Sequence, residues 1–308
     1  MSPLVAPRSL AALLAAGPGV HILDVRWSLA EPDGRPGYLA GHLPGAVHVD
    51  LERELSAPGT PAEGRHPLPP VARLQADARR WGLRDGETVV VYDDSGGLAA
   101  ARAWWLLSHA GITDVRILDG AFAAWVAAGL PVAIGAEPAP PAGDVTLAYG
   151  HRPVLDADQA AALPATGVLL DARAAARYRG EEEPVDPRAG HIPGALSAPA
   201  SDHLDPAGRF RPATELAAHF AALGVRRDQR VAAYCGSGVT AAHTVAALAV
   251  AGFEAALFPG SWSAWAGDPN RPIATGPAPA PAGPADPAYP TDPADPATRP
   301  DEATGAPR

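Results

Sequence analysis

The chain of 308 residues contains no lysine; all 24 of its basic residues are arginine. That absence excludes a Walker-A phosphate site, Schiff-base chemistry with pyridoxal phosphate or aldol substrates, and a kinase-type lysine. Cysteine is almost as scarce. Cys235 stands alone, so neither an intrachain disulfide nor a cysteine metal cage can form. A lone thiol suits a reducing, cytoplasmic setting. Positive charge is also in deficit: the net charge of −10 gives no basic face for a nucleic acid. Nor is there an apolar run of the roughly 20 residues needed to cross a bilayer, since His243 and Glu254 interrupt the best candidate. What remains is 47% apolar and 19% charged, enough for real cores, and at roughly 150 residues per domain the length points to two of them.

Arg8 followed by Ser9 to Ala16 has the look of a short signal-peptide core, but it reads equally as a first helix with Ser9 as N-cap and Gly17 as its stop. An internal repeat favours the helix. Leu23-Asp24-Val25-Arg26 returns as Leu170-Asp171-Ala172-Arg173, and Gly41-His42-Leu43-Pro44-Gly45-Ala46 returns as Gly190-His191-Ile192-Pro193-Gly194-Ala195. Val89 to Asp93 returns as Val231 to Cys235, and Leu118 to Trp125 is echoed by Phe258 to Trp265. Four blocks in one order, offset by about 140 to 149 residues, mean two copies of one domain. The segment Leu4 to Ala16 precedes its strand as Val154 to Leu163 precedes the second.

Within a copy, short apolar runs alternate with alanine-rich stretches. Residues 21–24, 88–92 and 115–118 read as buried strands, and 98–110, 122–128 and 241–251 as helices. That alternation predicts an α/β fold, a parallel sheet with helices on both faces. The expected organisation is a first domain over 1–134, a linker over 135–152, a second domain over 153–275 and a disordered Pro/Ala-rich tail over 276–308.

The repeat separates scaffold from chemistry. His42 and His191 recur in matched turns, as do Asp24 and Asp171, so they read as structural. The copies part at one strand end, where the first has Asp93-Asp94-Ser95-Gly96-Gly97-Leu98 and the second Cys235-Gly236-Ser237-Gly238-Val239-Thr240. A cysteine at the carboxyl end of a buried strand, on a glycine-rich turn into a helix, meets inward-pointing N–H groups and the positive end of the helix. Both favour thiolate over thiol. A buried cysteine is more often a small apolar filler, but glycines on both sides of Ser237 point to close approach of a ligand.

The Cys-Gly-Ser-Gly-Val-Thr loop, the two Gly-His-(Leu/Ile)-Pro-Gly-Ala turns, Asp-Ala-Arg at 171–173 and Gly-Ser-Trp at 260–262 together resemble a tandem-domain rhodanese, and most closely the 3-mercaptopyruvate sulfurtransferase branch. The resemblance runs from about Leu4 to Thr275. It implies two rhodanese-like domains, each a parallel sheet flanked by helices, with the first catalytically silent because Asp93 replaces the cysteine. It implies a persulfide on Cys235, a small-molecule sulfur donor, a thiol or cyanide acceptor, with a thioredoxin-like reductant as one such thiol, and neither metal nor organic cofactor. Thiosulfate-preferring relatives carry basic residues at the two positions after the cysteine. Gly236 and Ser237 are uncharged, which favours a monocarboxylate such as 3-mercaptopyruvate.

By the same resemblance Arg177 matches the family's substrate arginine, where the first copy has Ala30, and Arg188 is the nearest match to a second. Gly236, Gly238, Val239 and Thr240 would form the cradle, with Ser237 polarising the donor. His66 and Glu52, from the first copy, match positions that would shuttle a proton or orient Ser237. Two other readings compete. A cysteine phosphatase needs arginine six positions after the cysteine, where this chain has Ala241. A non-catalytic sulfur-binding or regulatory module would differ only in its lack of turnover.

Overall fold

The computed structural model describes residues 2–277. The tail expected over 276–308 lies outside them, apart from its first two residues. The first sheet holds β1 (Leu4–Val5), β2 (Val20–Asp24), β3 (Val47–His48), β4 (Thr88–Tyr92) and β5 (Val115–Leu118), all parallel in the order β1-β5-β4-β2-β3. The second holds β6 (Val168–Asp171), β7 (Leu196–Ser197), β8 (Val231–Tyr234) and β9 (Ala256–Leu257), parallel in the order β7-β6-β8-β9. Val154 bridges Leu257 in parallel, just as β1 pairs with β5, so the two sheets share one plan. Their central strands are apolar on both faces, as a sheet covered by helices requires.

The recurring residues do recurring work. Asp24 faces Arg26 at 3.0 Å and Asp171 faces Arg173 at 2.6 Å. Each arginine also lies over an aromatic ring, Phe122 at 4.4 Å and Trp262 at 4.5 Å. The Tyr92 and Tyr234 hydroxyls accept from the backbone N–H of Leu43 and Ile192, tying each Gly-His-x-Pro-Gly turn to the sheet. His42 and His191 are buried, each stacks on a tyrosine (Tyr38 and Tyr178) and each bonds that tyrosine's carbonyl through Nδ1. Both histidines belong to the scaffold.

The first helix spans Pro7–Ala15, so it begins two residues before the expected Ser9 cap. Pro7 sets the helical φ at a position whose N–H has no intrahelical partner in any case, which makes it the better start. The other expected elements match to within two residues: helices occupy Ala100–His109, Ala121–Ala127 and Thr240–Val250.

The helices Ala100–His109 and Thr240–Val250, equivalent in the two copies, pack against each other. Small side chains (Ala100, Ala101 and Ala103 on one, Ala241, Ala242 and Ala246 on the other) let the backbones approach, and Trp104, Trp105, Val245 and Leu248 join the same core. One apolar core thus runs through both copies. It brings the loop after β8 within hydrogen-bond reach of the first copy.

Candidate active site

Cys235 directly follows β8 and is only 2% exposed. Its backbone is fixed at three points. Its N–H donates to the Ser261 hydroxyl at 3.1 Å, its carbonyl accepts from Trp262 N–H, and the next carbonyl, of Gly236, accepts from Ser263 N–H. The Ser261 hydroxyl in turn donates to the Phe258 carbonyl. Ser261 holds φ = +52°, a left-handed conformation unusual for a residue with a Cβ, and Ala121 holds the matching position in the first copy at +58°. The strain is common to both copies, but the hydroxyl that grips the strand end occurs only in the second.

The Gly238 N–H points at the Cys235 sulfur, 3.2 Å away. Gly238 has φ = +79°, and a Cβ there would collide with the Pro259 carbonyl oxygen, so only glycine turns the loop this way. Val239 and Thr240 follow, Thr240 opening the helix Thr240–Val250, whose N-terminus faces back along the loop.

Ser237, His66 and Glu52 form a continuous chain. The Ser237 hydroxyl is 2.7 Å from His66 Nδ1, and His66 Nε2 is 3.0 Å from Glu52 Oε1, which also accepts from Trp27 Nε1 at 2.9 Å. A carboxylate only accepts, so Nε2 carries the proton and Nδ1 accepts from Ser237 when the ring is neutral. Burial lowers the pKa of His66 below the ordinary histidine range, outweighing the opposing pull of Glu52. The resting ring is a neutral acceptor.

The cations are arranged differently from the sequence reading. Arg177 does lie over the loop, its Nη1 3.6 Å from where a Gly236 Cβ would sit, but it is paired with Glu183 at 2.6 Å and Asp186 at 3.3 Å. Arg188, expected as a second substrate arginine, has another task. Its guanidinium donates to the carbonyls of Trp265, Ala266, Asp268 and Arg271, closing the carboxyl end of the helix Ser261–Gly267. With these acceptors taken, it is a structural arginine.

Two further arginines, both from the first copy, reach the loop. Arg65 Nη2 lies 3.1 Å from the Gly236 Cβ position, and Arg65 pairs with Asp186. Arg102 is fully buried in the interdomain core, where it donates to the carbonyls of Leu55, His66 and Gly238 and to no carboxylate. Burial lowers its pKa to about 10, with the Cys235 sulfur and Tyr149 opposing, so it stays cationic at neutral pH. A buried cation without a carboxylate is costly, and an anionic sulfur on the far side of the Gly238 peptide would offset it. Neither arginine carries a motif. Ser261 was legible, since the aligned blocks put it opposite Ala121.

Among the described residues no helix is long and apolar enough to cross a membrane, and no cluster of three or more histidine, cysteine or carboxylate groups is disposed to hold a metal ion. The Rhodanese-like domain family matches residues 6–128 and again 156–268. A Mycobacterium tuberculosis protein provisionally named thiosulfate sulfurtransferase SseB is 51% identical over 280 residues, covering 89% of this chain and 98% of the relative. A Pseudomonas aeruginosa protein provisionally named 3-mercaptopyruvate sulfurtransferase is 48% identical over 281 residues, with the same coverage. The crystal structure of SseA from Escherichia coli, described as a 3-mercaptopyruvate sulfotransferase with the rhodanese fold, superposes with a TM-score of 0.75 at 33% identity, over 85% of this chain and 99% of SseA.

Proposed function

The chain belongs to the rhodanese-like family as a tandem-domain sulfurtransferase, and from that premise we propose that it takes sulfur from 3-mercaptopyruvate and passes it, as a Cys235 persulfide, to a thiol or to cyanide. The observation that carries this reading is the uncharged Gly236-Ser237 pair joined to His66 and Glu52. Such a loop suits a donor with one fixed charge and a proton to move, whereas thiosulfate has two charges and no thiol proton.

The Cys235 thiolate attacks the donor sulfur. The carbon–sulfur bond breaks with its electron pair going to carbon, so a pyruvate enolate departs and the sulfur stays on Cys235. The thiol proton of the donor passes to Ser237, whose own proton moves to His66 Nδ1. The imidazolium, held by Glu52, then returns a proton along the same path to the enolate carbon. One thiolate and one mercaptopyruvate become one persulfide anion and one pyruvate, with charge and protons conserved. The Gly238 N–H and the helix N-terminus stabilise the anionic sulfur before and after transfer. Arg177 reads the donor carboxylate. A thiol then attacks the outer sulfur and restores the thiolate. A thioredoxin-like reductant supplies such a thiol, and the cytoplasm keeps Cys235 reduced.

One observation favours thiosulfate as the donor instead: the relative at 51% identity carries that name. Measuring kcat/KM for both donors decides. We expect 3-mercaptopyruvate to lead by at least about tenfold, roughly 1.4 kcal/mol of transition-state discrimination. A lead for thiosulfate overturns the donor assignment.

A further inference from the structure

Over the active-site loop runs a chain of alternating charges. Asp171 pairs with Arg173 at 2.6 Å, Arg173 with Glu183 at 3.3 Å, Glu183 with Arg177 at 2.6 Å, Arg177 with Asp186 at 3.3 Å, and Asp186 with Arg65. Three arginines meet three carboxylates, so the chain is neutral as a whole. Its last two cations, Arg177 and Arg65, are the ones over Gly236.

Asp186 is placed to control both. Its side chain is 3% exposed and contacts both guanidiniums, while Arg65 at 28% is the open end of the chain. Arg65 Nε is buried without an acceptor, so the carboxylate is what holds that side chain in place. Among the described residues, Arg65–Asp186 is also the one ion pair that joins the two repeats. Burial raises the pKa of Asp186, with Glu183 adding to the rise and the arginines opposing it.

We propose that Asp186 is a specificity-determining residue, neutralising the two arginines over the Cys235 loop and so biasing the donor mouth towards a singly charged donor. Arg65, supplied by the silent domain, is its counterpart. Attraction to a cation scales with the charge of the donor, so freeing the arginines helps a dianion more than a monoanion. The inference rests on the persulfide reading of Cys235.

The test measures kcat/KM for thiosulfate and for 3-mercaptopyruvate in the wild type, Asp186→Asn, Arg65→Gln and the double variant. Asp186→Asn should raise the thiosulfate-to-mercaptopyruvate ratio at least about tenfold, chiefly through the KM for thiosulfate. Arg65→Gln should lower it by about fivefold or more, and the double variant should fall within about threefold of the wild type. A loosened loop would depress both donors and both kcat values, whichever charge was removed. If Asp186→Asn does not fold, the downward shift in Arg65→Gln carries the test. Both single variants moving the ratio in the same direction, or neither moving it by more than about twofold, overturns the inference. Persulfide loading of the wild type separates the two levels: if neither donor adds sulfur to Cys235, the functional reading and this inference fall together. If loading occurs while the ratio stays fixed, this inference alone falls.

Discussion

The loops after β4 (residues 93–99) and β8 (residues 235–239) lead into equivalent helices, the first starting two residues later, yet they treat negative charge in opposite ways. In the first copy Asp93 turns into its own loop. Its Oδ1 accepts from Ser95 and Gly97 N–H, and its Oδ2 from Ala99 and Ala100 N–H, at 2.8–3.0 Å. Burial raises the pKa of this group, and the four N–H groups oppose the rise. In the second copy the Cys235 sulfur takes one N–H, from Gly238. The first loop is therefore filled from within, its N–H groups closing on the Asp93 side chain, while in the second the Gly238 N–H faces the Cys235 sulfur.

The first copy also supplies much of the candidate site around Cys235. Glu52, His66, Arg65 and Arg102 all come from it, and they converge on Ser237, Gly236 and Gly238. At the first loop the second copy contributes packing instead, with Leu204 against Gly96 and Phe210 and His243 against Gly97. Ser95, which matches Ser237, has a buried hydroxyl with no partner.

The comparison breaks most sharply if the cysteine is moved. Cys235→Ser should fold and lose at least about a thousandfold in turnover, since a serine hydroxyl holds no sulfane sulfur. Adding Asp93→Cys to that variant should restore nothing, because the first loop lacks the His66–Ser237 pairing and has Ala30 where the second has Arg177. Recovery of more than about 1% of wild-type turnover would show that the loop alone makes the site.

Arg177→Ala should weaken 3-mercaptopyruvate use by about 2–4 kcal/mol in kcat/KM. Transfer from a preformed persulfide to a small neutral thiol should stay near normal, since no donor carboxylate is then present. Equal losses in both half-reactions would make Arg177 a brace for Glu183 and Asp186 instead.

Acid should separate the copies by stability. His203 and His243 lie buried in the second copy without hydrogen-bond partners. Burial lowers the pKa of His203 to about 2 and that of His243 to about 4. Both values lie below the unfolded value of about 6.5. Stability is therefore full above about pH 6.5 and falls as the pH drops towards the folded values. His243 alone accounts for on the order of 2 kcal/mol lost by pH 5. Denaturant titrations at pH 7.5 and 5 should show this loss, and His243→Phe should reduce it. A pH-independent midpoint would mean that the ring is solvated.

The smallest effect belongs to Ser261→Ala, which makes the second copy resemble the first at Ala121. It removes the acceptor for Cys235 N–H and should cost about 1 kcal/mol of stability with a few-fold fall in turnover. No change in either would mean that the Trp262 N–H contact suffices to hold the strand end.

The repeat made the scaffold legible, because paired residues such as Asp24 and Asp171 or His42 and His191 must satisfy the same local bonds twice. The asymmetry at Cys235 was legible for the same reason, and so were His66 and Glu52, through family resemblance. The arginines were not. With 24 of them and no lysine, nothing local separates Arg188, which caps a helix, from Arg65 or Arg102. The roles of Arg65 and Arg102 depend on contacts with residues more than a hundred positions away, set by how the two copies dock.

The most direct test of the account is intact-protein mass spectrometry after brief exposure to 3-mercaptopyruvate and removal of excess donor. The account expects a gain of one sulfur atom, on the peptide bearing Cys235, that cyanide removes with formation of thiocyanate. It expects no gain in Cys235→Ser or in the Cys235→Ser/Asp93→Cys variant. Steady turnover by a wild-type protein that never gains the sulfur, or sulfur loading on the cysteine placed at 93, would contradict it.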